Sequence, residues 1–435
     1  MTTPDKRLKK ALRLHRQKDY VAAARLYRKI LKSDPGCASA LNFSGLLAHQ
    51  QGDTEQGIRQ ISAAINADPN YIDAYLNLGN LLLFIDATQE AFACYNQAHA
   101  LAPARVDVSN NLGVLLRVLG RAEESERLLQ QVIEGRPDWG EGFYNLANTM
   151  VVRGKTDAAV DHFRRAIELT PGFLLSYGPY ARYCYATGRI GEAAHAYEEW
   201  ARLEPNNAAV QHMRAACSGS EAPDKCSATF IRMTFDHYAN SFEESLDRLG
   251  YRAPAVLADA LSRLAGDART ELNVIDLGCG TGLAHDELRP HAQQLTGVDM
   301  SEQMLQHARN QHSYDVLHCG DLVEYLQNST KPYDLQVSMD TLIYFGDLDA
   351  VFAAAAGSLS PSGWFIFSLE RIEPDTGTGF ILQPSGRYAH GEAYIRDTLD
   401  RHGLALIELE PLSLRKELGE DVPGWLCVTK PRLGL

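Results

Sequence analysis

Several features that define common protein classes are missing from this sequence, and each absence narrows the reading. No apolar run approaches the ~20 residues needed to cross a bilayer, so no membrane partner is expected. The N-terminal MTTPDKRLKK is basic but has no apolar segment behind it, which argues against a secretory signal. Eight cysteines, at 37, 94, 184, 217, 226, 279, 319 and 427, include no CxxC pair. A disulfide framework and a metal centre are therefore not expected, and a reducing, cytoplasmic location is. Basic charge is scarce in the second half: residues 207–435 hold 18 Lys and Arg against 32 Asp and Glu, whereas residues 1–206 hold 24 against 23. An enzyme acting on DNA or RNA presents a basic face, so no nucleic-acid partner is expected. The one basic run, 11 Lys and Arg within the first 32 residues, reads as the solvated outer face of an end repeat.

What is present begins with a fixed period. Pro35, Pro69, Pro103, Pro137, Pro171 and Pro205 lie 34 residues apart without a slip. Between them, small and large residues recur in register. Tyr75, Leu78, Gly79, Ala91, Tyr95 and Ala98 are echoed by Phe143, Leu146, Ala147, Ala159, Phe163 and Ala166. The small positions let two helices approach and the large ones fill the gaps. This pattern resembles the tetratricopeptide (TPR) array, a solenoid of helix-turn-helix units, over roughly residues 4–206. Asn206-Asn207 can cap one last helix over the apolar end of the array. Ser218 to Lys225 reads as a linker, because the period vanishes there and strand–helix alternation begins.

The second signal is Val274-Ile275-Asp276-Leu277-Gly278-Cys279-Gly280-Thr281-Gly282, an apolar strand running into three alternating glycines. Glycine removes a Cβ where backbone turns sharply and approaches a ligand. A second apolar strand follows and ends in Asp299, about 20 residues on, where an acid meets ribose hydroxyls. Strands are expected near 273–277, 295–299, 314–318, 333–339, 363–369, 404–410 and 425–430, with helices at 282–292, 301–311 and 389–402. The last two strands have no helix between them and should form an antiparallel hairpin.

These residues resemble the class I S-adenosylmethionine-dependent methyltransferases. Further segments, Thr234 to Glu243, Ile343 to Leu348, Ser385 to His390 and Val422 to Trp425, are similar to a group of bacterial methyltransferases carrying N-terminal TPR repeats. The resemblance implies a TPR solenoid over residues 1–217, a linker over 218–225 and, over 226–435, a Rossmann-like α/β domain with a seven-stranded, mostly parallel sheet. It implies S-adenosylmethionine as cofactor. Gly278 and Gly280 would admit its methionyl part, Asp276 its ammonium and Asp299 its ribose. Met300, Asp321 and Leu322 would meet the adenine, Met339 would lie near the sulfonium, and Arg252 would reach the carboxylate. Asp321 reads equally as a helix cap, and Arg252 equally as a surface ion pair. A fragment beginning close to Cys226 is expected to fold and bind the cofactor.

No Asn/Asp-Pro-Pro-Tyr motif follows the fourth strand, which lowers amide and adenine nitrogens as acceptors. Asp340, Tyr344 and His390 are the candidate catalytic residues. His237, Tyr238, Glu370, Arg387 and Tyr388 are further candidates for the acceptor pocket, and Arg371 to Arg387 for a substrate lid. Asn77, Asn111 and Asn145 share one repeat position. As an exposed ladder they would grip a peptide backbone, with little cost to stability if replaced. Two readings of function stand. In one, the TPR array recruits a protein, peptide or carrier-bound methyl acceptor. In the other, the acceptor is a free small molecule and the repeats serve assembly. A third, a TPR adaptor with a dead methyltransferase fold, is disfavoured by the intact glycine turn and Asp299.

Overall fold

The computed structural model describes residues 3–219, 222–265, 271–373, 377–417 and 419–432. Two compact units divide between Tyr183 and Cys184. In the first, paired helices repeat at the expected 34-residue spacing. First helices begin at Ala38, Ile72, Val106 and Gly140, and second helices at Tyr20, Thr54, Thr88, Ala122 and Thr156. The turn within each pair places one residue in the left-handed region at the same register: Lys18, Gly52, Asp86, Gly120 and Gly154. Only glycine adopts this conformation freely, so the recurrence of Gly there is a backbone requirement. Packing explains the small residues. A Cβ on Gly79 would lie 2.4 Å from the Tyr95 ring, and one on Gly113 would lie 2.7 Å from Leu129. In the next repeat Ala147 is buried, as is Phe163.

The second unit opens with the helices Ile190–Leu203 and Ala208–Ser218, the latter capped by Asn207 through the amides of Ala209 and Val210. Three more helices, Ala228–Tyr238, Phe242–Arg248 and Ala253–Ala265, precede the sheet. Its nine strands are β1 Leu272–Leu277, β2 Ala292–Asp299, β3 Val316–Cys319, β4 Tyr333–Ser338, β5 Leu359–Arg371, β6 Phe380–Leu382, β7 Tyr388–His390, β8 Leu404–Glu417 and β9 Glu420–Pro431. The main order is β3-β2-β1-β4-β5-β9-β8, parallel from β3 to β5, with β9 antiparallel to both neighbours. Alternate residues feed the two faces: Ile275 and Leu277 join one core, Val274 the other.

Among the described residues nine strands are present in place of the expected seven. The additional pair, β6 and β7, lies around the segment expected to be a lid, and β7 pairs with the end of β5 at Glu370 and Arg371. Three-residue strands give no alternation long enough to read. Pro374 to Thr376 of that segment, Ser220 and Glu221 of the linker, and the His237 side chain lie outside the described residues. The helix expected over 282–292 is shorter, His285–Leu288, and β2 starts at Ala292. β8 and β9 form the expected antiparallel hairpin, longer than anticipated.

Compactness breaks earlier than the change of sequence character at 218–225. The reason is a strap of contacts within the second unit. His212 Nε2 donates to the Gly386 carbonyl at 2.9 Å, and its ring lies 4.7 Å from that of Phe230. The Asp224 carbonyl accepts from Gly346 N and Asp347 N, both at 2.8 Å, and Tyr388 Oη donates to the Pro223 carbonyl at 2.5 Å. A fragment starting at Cys226 lacks all of these. Residues 184–435 should unfold as one cooperative unit. Residues 226–435 should be less stable by about 2–4 kcal/mol, the sum of a few modest hydrogen bonds. Calorimetry of the two fragments decides, and equal stability would return the folding boundary to the linker.

Candidate active site

Strand order reverses between β1 and β4, and in an open parallel sheet the crevice beyond the strand ends at such a reversal is where ligands bind. A cavity of about 540 Å³ lies there. Gly278 makes the crevice possible. At φ 79° it turns the chain after β1, and a Cβ on it would lie 2.2 Å from Thr341 Oγ1. Gly280 is also left-handed, at φ 55°, and faces open space up to Phe242.

The acids around this turn are held in distinct ways. Asp299 Oδ2 accepts from Gly280 N at 3.0 Å and Oδ1 from Ser301 N at 2.8 Å. Burial nonetheless pushes its carboxyl up from the usual range. Asp276 is buried and accepts from Tyr314 Oη at 2.8 Å, and burial raises it to about 7. Asp321 caps the helix Leu322–Gln327 through the amides of Val323 and Glu324, and its second oxygen meets Lys225 Nζ at 3.1 Å. Capping is thus realised in a residue that also faces the cavity.

Asp276, Gly278, Gly280, Asp299, Met300, Asp321, Leu322 and Met339 all line this one cavity, together with Asp340 and Tyr344. Arg252 is not among the lining residues. It is exposed, and its backbone N–H serves the Leu414 carbonyl at 2.8 Å. His390 is also absent from the walls. It is fully buried, donates from Nε2 to the Gly346 carbonyl at 3.1 Å, and is held neutral by burial, which lowers it to about 4. His390 is therefore a packed structural histidine, and the catalytic expectation for it is corrected.

Asp340 sits at φ 55°, a strained position for a side chain with a Cβ. Its N–H donates to Ser368 Oγ at 2.7 Å and its carboxylate pairs with Arg415. Arg415 also pairs with buried Glu370, which accepts from Arg387 Nε at 2.8 Å, and Arg387 in turn pairs with Glu417. Arg415 was not legible beforehand, because one arginine late in β8 carries no motif. Phe235, Phe242 and Tyr251 also line the cavity without having been singled out. The helix Ala228–Tyr238 is tied to the end of β2 by Ser301 Oγ, which donates to Asp236 Oδ1 at 2.5 Å.

The asparagine ladder is arranged differently from the exposed grip expected. Asn145 is buried and donates to Asn110 Oδ1 at 2.8 Å, while Asn77 donates to Asn42 Oδ1 at 3.0 Å. These amides join neighbouring repeats, so their replacement should cost stability, where little cost was expected. Asn111 is half-buried. His285, Asp286 and His312 lie close enough together to suggest a metal site. However, His285 Nδ1 is engaged by Asp286 and its Nε2 accepts from Ser313 N, so both ring nitrogens are in use.

An open parallel sheet with this glycine turn, an acid closing β2 and a terminal antiparallel hairpin is the class I methyltransferase arrangement. Residues 249–402 match the methyltransferase domain model, and residues 8–72, 72–105, 107–136 and 144–208 match models of the tetratricopeptide repeat. The chain accordingly joins tetratricopeptide repeats to a domain that matches the methyltransferase family. It is 31% identical over 100 residues to the ubiquinone biosynthesis O-methyltransferase of Hydrogenovibrio crunogenus, covering 22% of this chain and 41% of that protein. The enzyme of the same description from Nitrosospira multiformis is 28% identical over 160 residues, 34% of this chain and 61% of that one. This chain is also 26% identical over 171 residues to the mouse protein O-mannosyl-transferase TMTC3, covering 36% of this chain and 19% of that protein. The chain thus spans less than two thirds of each of these relatives. Among solved structures, MamA aligns over 39% of this chain and 95% of its own, at 24% identity and a TM-score of 0.34. Among the described residues, no helix is long and apolar enough to cross a membrane.

Asp276 yields a test in the free protein. Its raised carboxyl favours folding when protonated. That contribution is full below pH 4 and is lost as pH rises through about 7. Asp276→Asn should therefore match wild type in thermal melts at pH 4 and exceed it by roughly 2–4 kcal/mol at pH 8. Equal stability at both pH values would show that this carboxyl is not held against its charge.

Proposed function

We propose that the chain transfers the methyl group of S-adenosylmethionine to an acceptor bound at the end of β4. One observation carries this reading: the glycine turn, Asp276 and Asp299 line the same cavity as Met339, Asp340 and Tyr344. The cofactor supplies a methyl group on a sulfonium, already activated for displacement. The residues present suit it. Asp276, with one hydrogen-bond partner and a carboxyl strained by burial, would receive the ammonium and gain a counter-charge. Asp299, pre-oriented by two backbone amides, would accept both ribose hydroxyls. Met300, Leu322 and Asp321 would border the adenine, and Met339 the sulfonium.

The protein's task in methyl transfer is alignment and exclusion of water. Asp340 and Tyr344 would face the acceptor. Where the acceptor nucleophile carries a proton, Asp340 would take it, its carboxylate being fixed by Arg415. Tyr344, whose phenol burial raises above its usual range, would stay protonated and donate a hydrogen bond.

We assign recruitment of a protein, peptide or carrier-bound acceptor to the TPR array, through groups other than the interlocked Asn77 and Asn145. A second reading is a free small-molecule acceptor. It is favoured by the aromatic walls of the cavity and by relatives named for O-methylation in ubiquinone biosynthesis.

Calorimetry should show binding of S-adenosylmethionine and S-adenosylhomocysteine but not NAD. Asp299→Ala should cost about 1–3 kcal/mol of affinity, because ribose hydroxyls are left unpaired in a closed site. Equal affinity in wild type and variant would remove Asp299 from the role.

A further inference from the structure

The cavity walls contain four carboxylates among the described residues: Asp276, Asp299, Asp321 and Asp340. Each already has a partner. Asp276 accepts from Tyr314, Asp299 from two backbone amides, Asp321 meets Lys225, and Asp340 meets Arg415. In the reading above, Asp276 and Asp299 are further committed to an ammonium and a ribose. A sulfonium is a cation that cannot donate a hydrogen bond, and it needs a different kind of neighbour. Aromatic rings attract such a cation through their quadrupole.

Phe235, Phe242 and Tyr344 supply those rings. They come from three separate segments: the helix Ala228–Tyr238, the helix Phe242–Arg248, and the turn following β4. All three line the cavity that holds the glycine turn and Met339. The Phe235 and Phe242 centroids lie 6.1 Å apart with planes at 75°, and those of Phe235 and Tyr344 lie 5.5 Å apart at 89°. Phe242 Cε1 lies 3.8 Å from the position a Cβ on Gly280 would take, so this ring stands directly over the glycine turn. Edge-to-face packing fixes the trio as a unit, and the tie from Ser301 to Asp236 holds the Phe235 helix in place.

We infer that Phe235, Phe242 and Tyr344 form an aromatic wall that selects the charged sulfonium over the neutral thioether. This rests on the proposed cofactor and adds a specificity to its site. The charged cofactor is held by the wall, while the demethylated product loses that attraction when its sulfur becomes neutral. The same three rings therefore favour loading and ease product release.

Calorimetry with S-adenosylmethionine and S-adenosylhomocysteine tests this without any acceptor. Phe242→Leu and, separately, Phe235→Leu should weaken S-adenosylmethionine about 3- to 20-fold and S-adenosylhomocysteine less than about 2-fold. Phe242→Tyr, which keeps a ring, should restore the wild-type ratio. Phe242→Met keeps the bulk without the ring and should behave as Leu does, which guards against a folding defect in any one variant. Equal losses for both ligands, or a Met variant with wild-type selectivity, would make the rings simple packing and overturn the inference. If wild type binds neither ligand, the cofactor reading fails first. If wild type binds both and the variants keep its ratio, only the aromatic wall fails.

Discussion

The close approach of Gly278 to Thr341 is the constraint on which the rest of the second unit depends. A single methyl group at Gly278 would sit 2.2 Å from Thr341 Oγ1, well inside contact distance. Because glycine is there, the turn after β1 lies against the chain leaving β4. That contact brings the end of β1 and its turn into one crevice with the residues following β4: Asp276 and Gly280 on one side, Met339 and Asp340 on the other. Asp299 then locks the turn from β2 by accepting the Gly280 amide at 3.0 Å. Each group is ordinary alone. Their convergence at the reversal of strand order makes one cavity lined by carboxylates, left-handed glycines and apolar side chains.

The site is also a place where stability has been given up. Burial holds Asp276 against its charge, and Asp340 is kept in a left-handed backbone conformation by Ser368 and Arg415. Both are the expected marks of a pre-organised binding site, where strain persists because surrounding structure over-determines it. The interlocked Arg415, Glu370, Arg387 and Glu417 supply that surrounding structure. Removing one member of such a buried set would strand its partner, so the set constrains the pocket more than it stabilises the fold.

The repeats and the glycine turn were legible because their physics is local. A 34-residue period writes the helix pairs directly, and the glycine turn with Asp299 fixes two strand ends. The left-handed turn residues explain why four of six repeats place Gly at one position, at 52, 120, 154 and 188. What sequence reading missed is long-range. Arg415 reaches Asp340 across 75 residues, and His212 reaches Gly386 across 174. His390 looks like a catalytic histidine by type alone, and only its burial against Gly346 shows otherwise. The asparagine repeats were correctly seen as periodic, but periodicity cannot say whether an amide faces solvent or the next helix. Asn145 against Asn110 answers that by geometry.

The central claim is that this chain moves a methyl group from S-adenosylmethionine to an acceptor. The most direct measurement is mass spectrometry of cell extract incubated with the chain and methyl-labelled S-adenosylmethionine, resolved into protein, peptide and small-molecule fractions. Label is expected in a defined species that appears only when the chain is present. Intact labelled cofactor, with no labelled species in any fraction, would contradict it.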